Sequence, residues 1–320
     1  MSQSNYPKGF SSITVRGIPL AQTHPGKVFW VSNAAAAQLT GQKTGSDGNK
    51  GTFDAPFATL DFAVGQCTAG RGDTIFVKPG HAEAISAAAG IALDVAGIAV
   101  VGLGTGDSRP TFTLNTANTA TITVAAADIS VQNCKFVANF LSIATCFAVS
   151  TAKNFTVQNC RFQDTGATTN FLNCIKTTGA ANTADGLTVT GSQWFGLGTT
   201  SVNSFILSAD AIAGATLLDN VVCLNRTATA AALLTVTTGV LINFVAGRNL
   251  TYTAQTATTA GGLINVGGTT STGTVFQNYM QTLATATDIL FTTTVGLGAF
   301  ENRVSGAVGA TGFVIPAVDT

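Results

Sequence analysis

The residues able to carry acid–base chemistry are few. Glutamate occurs only as Glu83 and Glu301, and the aspartates are scattered singly through 320 residues. Glycoside hydrolysis takes two carboxylates about 5 to 9.5 Å apart. On extended chain that means acids at i and i+2, or at one position of neighbouring repeats. No Asp-Asp, Asp-x-Asp or Glu-x-Asp run occurs. Asp128, Asp164, Asp185, Asp210 and Asp219 fall mostly at turns, where aspartate caps or bends the chain. His24 and His81 have no cysteine or acid partner at nucleophile or metal spacing, so loop or packing roles are expected. Six cysteines, at 67, 134, 146, 160, 174 and 223, form no CxxC pair, and zinc-ligand spacing is absent. No catalytic residue, metal ligand or cofactor-binding residue is therefore assigned, and no cofactor is expected.

Four further signals have bland readings. Arg71-Gly72-Asp73 spells an integrin tripeptide but opens a strand and reads as a turn. Gly102-Leu103-Gly104-Thr105-Gly106 is like a phosphate loop only in its glycines, and a corner is the expected role. Lys135 and Arg161 share one outward repeat position; they make either a small anion site or, as preferred, two solvated charges. Asn249-Leu250-Thr251 matches a glycosylation sequon, irrelevant without secretion.

The elements that must position these residues are repeats. Ile129-Ser-Val-Gln-Asn133-Cys134-Lys-Phe136 returns as Phe155-Thr-Val-Gln-Asn159-Cys160-Arg-Phe162, and more weakly as Leu187-Thr-Val-Thr-Gly191-Ser-Gln-Trp194. Later copies put Asn at 220, 249, 278 and 302, so the unit recurs every 24 to 32 residues. A short apolar strand precedes each copy, for example Phe147-Ala-Val149 and Phe205-Ile-Leu207. Short strands in so brief a repeat, with no helical period between them, exclude leucine-rich repeats and propeller blades. They predict an all-β fold, a single-stranded right-handed parallel β-helix of roughly eight or nine coils at about 4.8 Å each. Asn133, Asn159, Gly191, Asn220, Asn249, Asn278 and Asn302 are expected to stack as one turn ladder, because Asn and Gly tolerate left-handed backbone. Cys134 with Cys160, and Phe136 with Phe162, are expected as inward stacks, the cysteines as buried thiols rather than a disulfide.

The N-terminal part differs. Residues 1–31 are expected to form a leader or anchor segment, residues 32–71 a loop and capping helix, and residues 72–320 the β-helix. The glycine-rich run Gly45-Ser-Asp-Gly-Asn-Lys-Gly51 precedes helically spaced apolar residues between Ala55 and Cys67, with Pro56 near the start. Such a helix would plug the bottom coil, whose edges otherwise invite aggregation.

At these residues the chain resembles a known family. Gly51-Thr-Phe-Asp-Ala-Pro-Phe-Ala-Thr-Leu60 and Gly72-Asp-Thr-Ile-Phe-Val-Lys-Pro-Gly80 look like the opening of pectate-lyase-like β-helix proteins, many of them from phages. With Pro25-Gly-Lys-Val-Phe-Trp30 and Pro79-Gly-His-Ala-Glu83, the chain is similar to uncharacterised proteins of phage head-gene neighbourhoods. The resemblance spans most of residues 25–140 in motif and the rest in architecture. Family members that act as enzymes carry Gly-His-Gly and Arg-Ile-Lys runs, or clustered calcium-binding aspartates, and neither pattern occurs here.

Composition completes the expectation. Charged residues are 9% and balance at 15 of each sign, which speaks against a nucleic-acid partner. No apolar run of membrane-spanning length occurs, and no signal peptide opens the chain. Residues 249–287 carry no charge. Such flanks suit burial against identical neighbours. The expected protein is a non-enzymatic structural component of a bacteriophage virion, folded in the host cytoplasm. It would be a capsid decoration or cement protein acting as a homotrimer, with the major capsid protein as partner, and with no nucleic acid and no membrane. The alternative is a tail spike or fibre that binds or cleaves host polysaccharide.

Overall fold

The computed structural model describes residues 14–15, 18–19, 26–33, 41–199, 204–225, 232–254, 262–266, 270–282, 296–305 and 313–315. The chain is a parallel β-helix. Three sheets run along its length: sheet I has ten strands, from Val28–Val31 to Leu297–Phe300. Sheet II has ten, from Ala82–Ile85 to Phe313–Ile315, and sheet III has seven, from Ile91–Leu93 to Ile264–Val266. Seven coils therefore supply a strand to every sheet. Registers are unbroken, as in Val131 beside Val157 and Phe136 beside Phe162.

Alternation makes these strands. In Lys135–Ala138 and Arg161–Asp164 every second residue is buried. Stacking the coils lays like upon like inside. Phe112, Phe136 and Phe162 stack with centroids 5.6 and 5.3 Å apart, within the range of favourable ring pairs. Cys134 and Cys160 are buried beside them, and all six cysteines are free.

The corner between sheets I and II differs from the expected single ladder. Two adjacent ladders run there. Positive φ belongs to Asn133, Asn159, Gly191, Asp219, Arg248, Gln277 and Glu301. The next residue along, Cys134, Cys160, Ser192, Asn220, Asn249, Asn278 or Asn302, is buried and faces inward. Asn220, Asn249, Asn278 and Asn302 therefore do not continue the turn begun by Asn133, Asn159 and Gly191. They sit one place further on, because their coils close with Asp, Arg, Gln or Glu at the left-handed position. Inside, they meet a different need. The Asn249 carboxamide oxygen accepts from the backbone N–H and the Nδ2 of Asn220, both at 3.0 Å. Its own Nδ2 donates to Leu217 O at 3.0 Å and to Asn278 Oδ1 at 2.8 Å. The pattern repeats from Asn278 to Asn302 and ends below on Ser192.

The N-terminal boundaries also shift. Val28–Val31 pairs in parallel with Thr74–Val77, so it is the edge strand of sheet I rather than part of a leader. Residues 1–13, 16–17 and 20–25, within the expected anchor, lie outside the described residues. Helix α1 is short, Leu60–Gly65, with Pro56 outside it. Phe57 instead bridges to Val31. The glycine-rich loop sets the helix start: Asp47 Oδ1 accepts from Ala58 N and Thr59 N at 2.9 and 3.0 Å. Leu60, Ala63 and Val64 face the core. Asp61 accepts the N–H of Ala92 at 2.8 Å, on the first strand of sheet III. The helix thus covers the bottom coil, in agreement with the plug expected from its apolar spacing.

Asn249→Ala leaves the Asn220 N–H and the Leu217 carbonyl buried without these partners. The expected loss is about 2–4 kcal/mol of stability, read by urea unfolding. A loss near zero would show that the ladder contributes little beyond packing.

Candidate functional site

The buried ionisable groups come first. Asp164 shares the inward face of its strand with Phe162. Its carboxylate accepts from Phe171 N at 3.0 Å, Leu197 N at 2.8 Å and, weakly, Trp194 Nε1 at 3.5 Å. Burial pushes its pKa up to about 6, although these donors pull the other way. The turn role expected for it is therefore incomplete: Asp164 ties two loops from inside the core. Period-two alternation with Phe162 is the signal that places it there.

His81 takes the packing role expected of it, and it does so with an acid partner two residues along the chain. Its Nε2 lies 3.0 Å from Glu83 Oε2, and the same oxygen accepts from Leu60 N at 3.0 Å. Asn33 N donates to His81 Nδ1 at 3.0 Å, which fixes the proton on Nε2. Both side chains are buried, so this dyad fastens helix α1 to the first strand of sheet II.

The other four aspartates expected at turns are found at turns. Asp128 and Asp219 have positive φ. Asp219 holds Arg248 through two contacts of 2.7 Å. Asp185 and Asp210 accept from Ala213 N and Ala211 N. Asp73 is buried and gripped by Arg71, which removes it from any exposed tripeptide. Asn133 Nδ2 donates to Gly102 O and Gly104 O, so the glycine run is a corner. Asn249, within the sequon, is buried in the ladder. Among the described residues no three His, Cys, Asp or Glu side chains group as a metal site.

The accessible chemistry lies on the outer face of sheet II. One outward column reads Thr111, Lys135, Arg161, Gln193, Val221, Leu250, Tyr279 and Arg303 upward. A second column includes Gln163, Phe195, Cys223, Tyr252 and Gln281. From Gln193 to Gln281 neither column holds a charge over four coils. Phe195, Leu197, Leu250 and Tyr279 stand 37, 41, 43 and 37% exposed. The Asn ladder positions this face, since Val221, Leu250, Tyr279 and Arg303 each come directly after a ladder asparagine. At its upper corner Gln277, Asn278, Tyr279, Glu301 and Arg303 line a cleft of about 410 Å³.

No family model and no curated protein matches the sequence. Among solved structures, one similar chain is a rhamnogalacturonan lyase, at a TM-score of 0.49 and 13% identity over 91% of this chain and 90% of that one. Another is a GH136 lacto-N-biosidase from Eubacterium ramulus, at 0.42 and 11% over 89% and 68%. Likeness at this level carries no chemistry across. The class comes from the strand pairing itself: a parallel β-helix solenoid with an uncharged, partly aromatic outer strip.

Asp164 gives a pH test. Its folded pKa lies above the ordinary 3.8, so ionised Asp164 opposes folding. That cost is full above about pH 6 and is gone below about pH 4. This group alone should make the fold about 2–3 kcal/mol more stable at the lower pH. Asp164→Asn should remove that component of the slope in urea unfolding measured across the range; parallel profiles for the two proteins would contradict it.

Proposed function

We propose that the chain is a structural protein of a bacteriophage particle, a capsid decoration or cement protein that associates with copies of itself along sheet II. The observation that carries this reading is the uncharged outer strip from Gln193 to Gln281, with Phe195, Leu197, Leu250 and Tyr279 exposed on it or at its edge. Contiguous apolar surface of this kind marks interaction sites. Aromatic enrichment with charge depletion is the signature of an interface core. Identical rods related by a closed rotation would bring this strip together about one axis, and a homotrimer is the proposed assembly. The phage setting comes from the resemblance of the opening motifs, and the major capsid protein is the proposed partner. The virion is the proposed location.

We also propose that the chain has no hydrolytic or lyase activity. Asp164 and Glu83, the two most buried carboxylates among the described residues outside the Arg71 pair, are occupied by backbone N–H groups or by His81. A second reading, a spike or fibre that binds glycans, is favoured by one observation. The Tyr279 ring sits beside Glu301 and Arg303 in the upper cleft, where an aromatic face and paired polar groups suit a sugar.

Light scattering of the purified chain tests the first reading. A trimer is expected, and Leu250→Glu combined with Tyr279→Glu should reduce it to monomer without loss of β-structure in circular dichroism. A wild-type monomer at micromolar concentration would count against self-association. Incubation with host polysaccharide should yield no new reducing ends and no unsaturated sugar; release of either would favour the spike.

A further inference from the structure

The lower end of the same face is chemically different. Arg109 sits at the corner just before its sheet II strand, Thr111–Leu114, and Lys135 and Arg161 open the strands of the next two coils. Lys135 pairs in register with Arg161, and Thr111, two residues after Arg109, pairs with Lys135. Neighbouring coils are separated by about 4.8 Å, so three cations share a short stretch of surface. They lie flat rather than reaching into water. The Lys135 side chain is only 17% exposed. Arg109 runs up the corner until its Nη1 donates to Asn159 O at 3.3 Å. Arg161 lies over the Phe195 ring, 5.7 Å from its centroid.

Little negative charge balances them. Among the described residues the one ion pair of this group is with Asp107, whose carboxylate is 3.8 Å from Lys135 Nζ and 95% exposed. The Nε of Arg109 and the Nε of Arg161 are both shielded from solvent and both lack a hydrogen-bond partner. A covered guanidinium N–H normally finds an acceptor. Nitrogens closed to water are closed to a larger ion too, so what these three side chains offer outward is stacked cationic charge with a single exposed carboxylate beside it.

We propose that Arg109, Lys135 and Arg161 form a binding site for an oxyanion of the phosphate or sulfate class. Planar guanidinium groups match such an ion through paired N–H donors, and the ammonium adds a point charge. The shelf of Phe195 excludes water on one side of Arg161 and orients its fork. The site depends on these three side chains and on their stacking by the β-helix, not on the oligomer or the phage assignment. Free inorganic ion and a phosphate or sulfate ester on a larger molecule would present the same group.

Calorimetric titration of the full chain with inorganic phosphate, with sulfate, and with chloride at matched ionic strength tests the proposal. Saturable binding of phosphate or sulfate near one per chain is expected, with a dissociation constant on the order of 1 mM, and none for chloride. Arg161→Gln and Lys135→Gln should each weaken it about tenfold, whereas Lys153→Gln, at an exposed site beside Asp185, should not. The first two variants change outward side chains, and thermal melting confirms that they fold. Titration of a glucose 6-phosphate and glucose pair separates esters from free ion: binding of the ester as well as the inorganic ion, with none of glucose, extends the site to larger ligands, and binding of inorganic ion alone confines it to free anions. No saturation below about 50 mM, or equal binding by wild type and all three variants, would overturn the site.

Discussion

The structure depends on closing one corner in the same way on every coil. Where sheet I passes to sheet II, the chain must bend within two residues while keeping its backbone groups bonded. Buried N–H and C=O groups without partners cost more than most contacts return. In the upper coils the inward asparagines meet that demand. Each carboxamide oxygen takes an N–H from the coil below, and each Nδ2 reaches a carbonyl there. The ladder couples coils that are about 29 residues apart in sequence and makes their register a matter of hydrogen-bond geometry as well as apolar fit. Lower down, Cys134, Cys160 and Ser192 fill the same inward position, and packing against the phenylalanine stack does more of that work.

Fixing the corner also fixes the strand that leaves it. The outer face of sheet II begins one residue after the ladder, so its side chains are carried on the most tightly bonded part of each coil. Charge is segregated along this face: cations below, then four uncharged coils, then Arg303. A solenoid allows such zoning because each coil contacts only its neighbours, and the outward residues can vary without disturbing the core.

Much of this is legible in the residues. Alternation in Ile129-Ser-Val-Gln-Asn133 and its copies is enough to predict the sheets, the coil repeat and the inward Cys134, Cys160, Phe136 and Phe162. The helix is visible from its apolar spacing, but its start is not, because Pro56 belongs to an extended stretch held by the Phe57 bridge. From Asn220 onward, spacing places the ladder one residue away from the true turn. Asparagine suits both a left-handed turn and a buried hydrogen-bonding position, and spacing alone does not separate the two when coil lengths vary. Only the pairing of Val221 with Gln193 and of Leu250 with Val221 resolves them. His81 and Glu83 stand two residues apart on one strand face, a separation that suits a simple buried pair although it matches no metal or nucleophile spacing. The orphaned guanidinium nitrogens have no sequence signal, since shielding depends on neighbouring coils.

The last described strand, Phe313–Ile315, runs against its neighbour Asn302–Ser305, whereas every other pairing in the three long sheets is parallel. A reversed strand there interrupts the winding: a further coil laid on sheet II would meet donors and acceptors in an antiparallel pattern. At the opposite pole helix α1 occupies the corresponding place. Among the described residues the parallel ladder of sheet II therefore ends at Asn302–Ser305, and the strand laid on it changes the hydrogen-bond pattern that its outer edge presents.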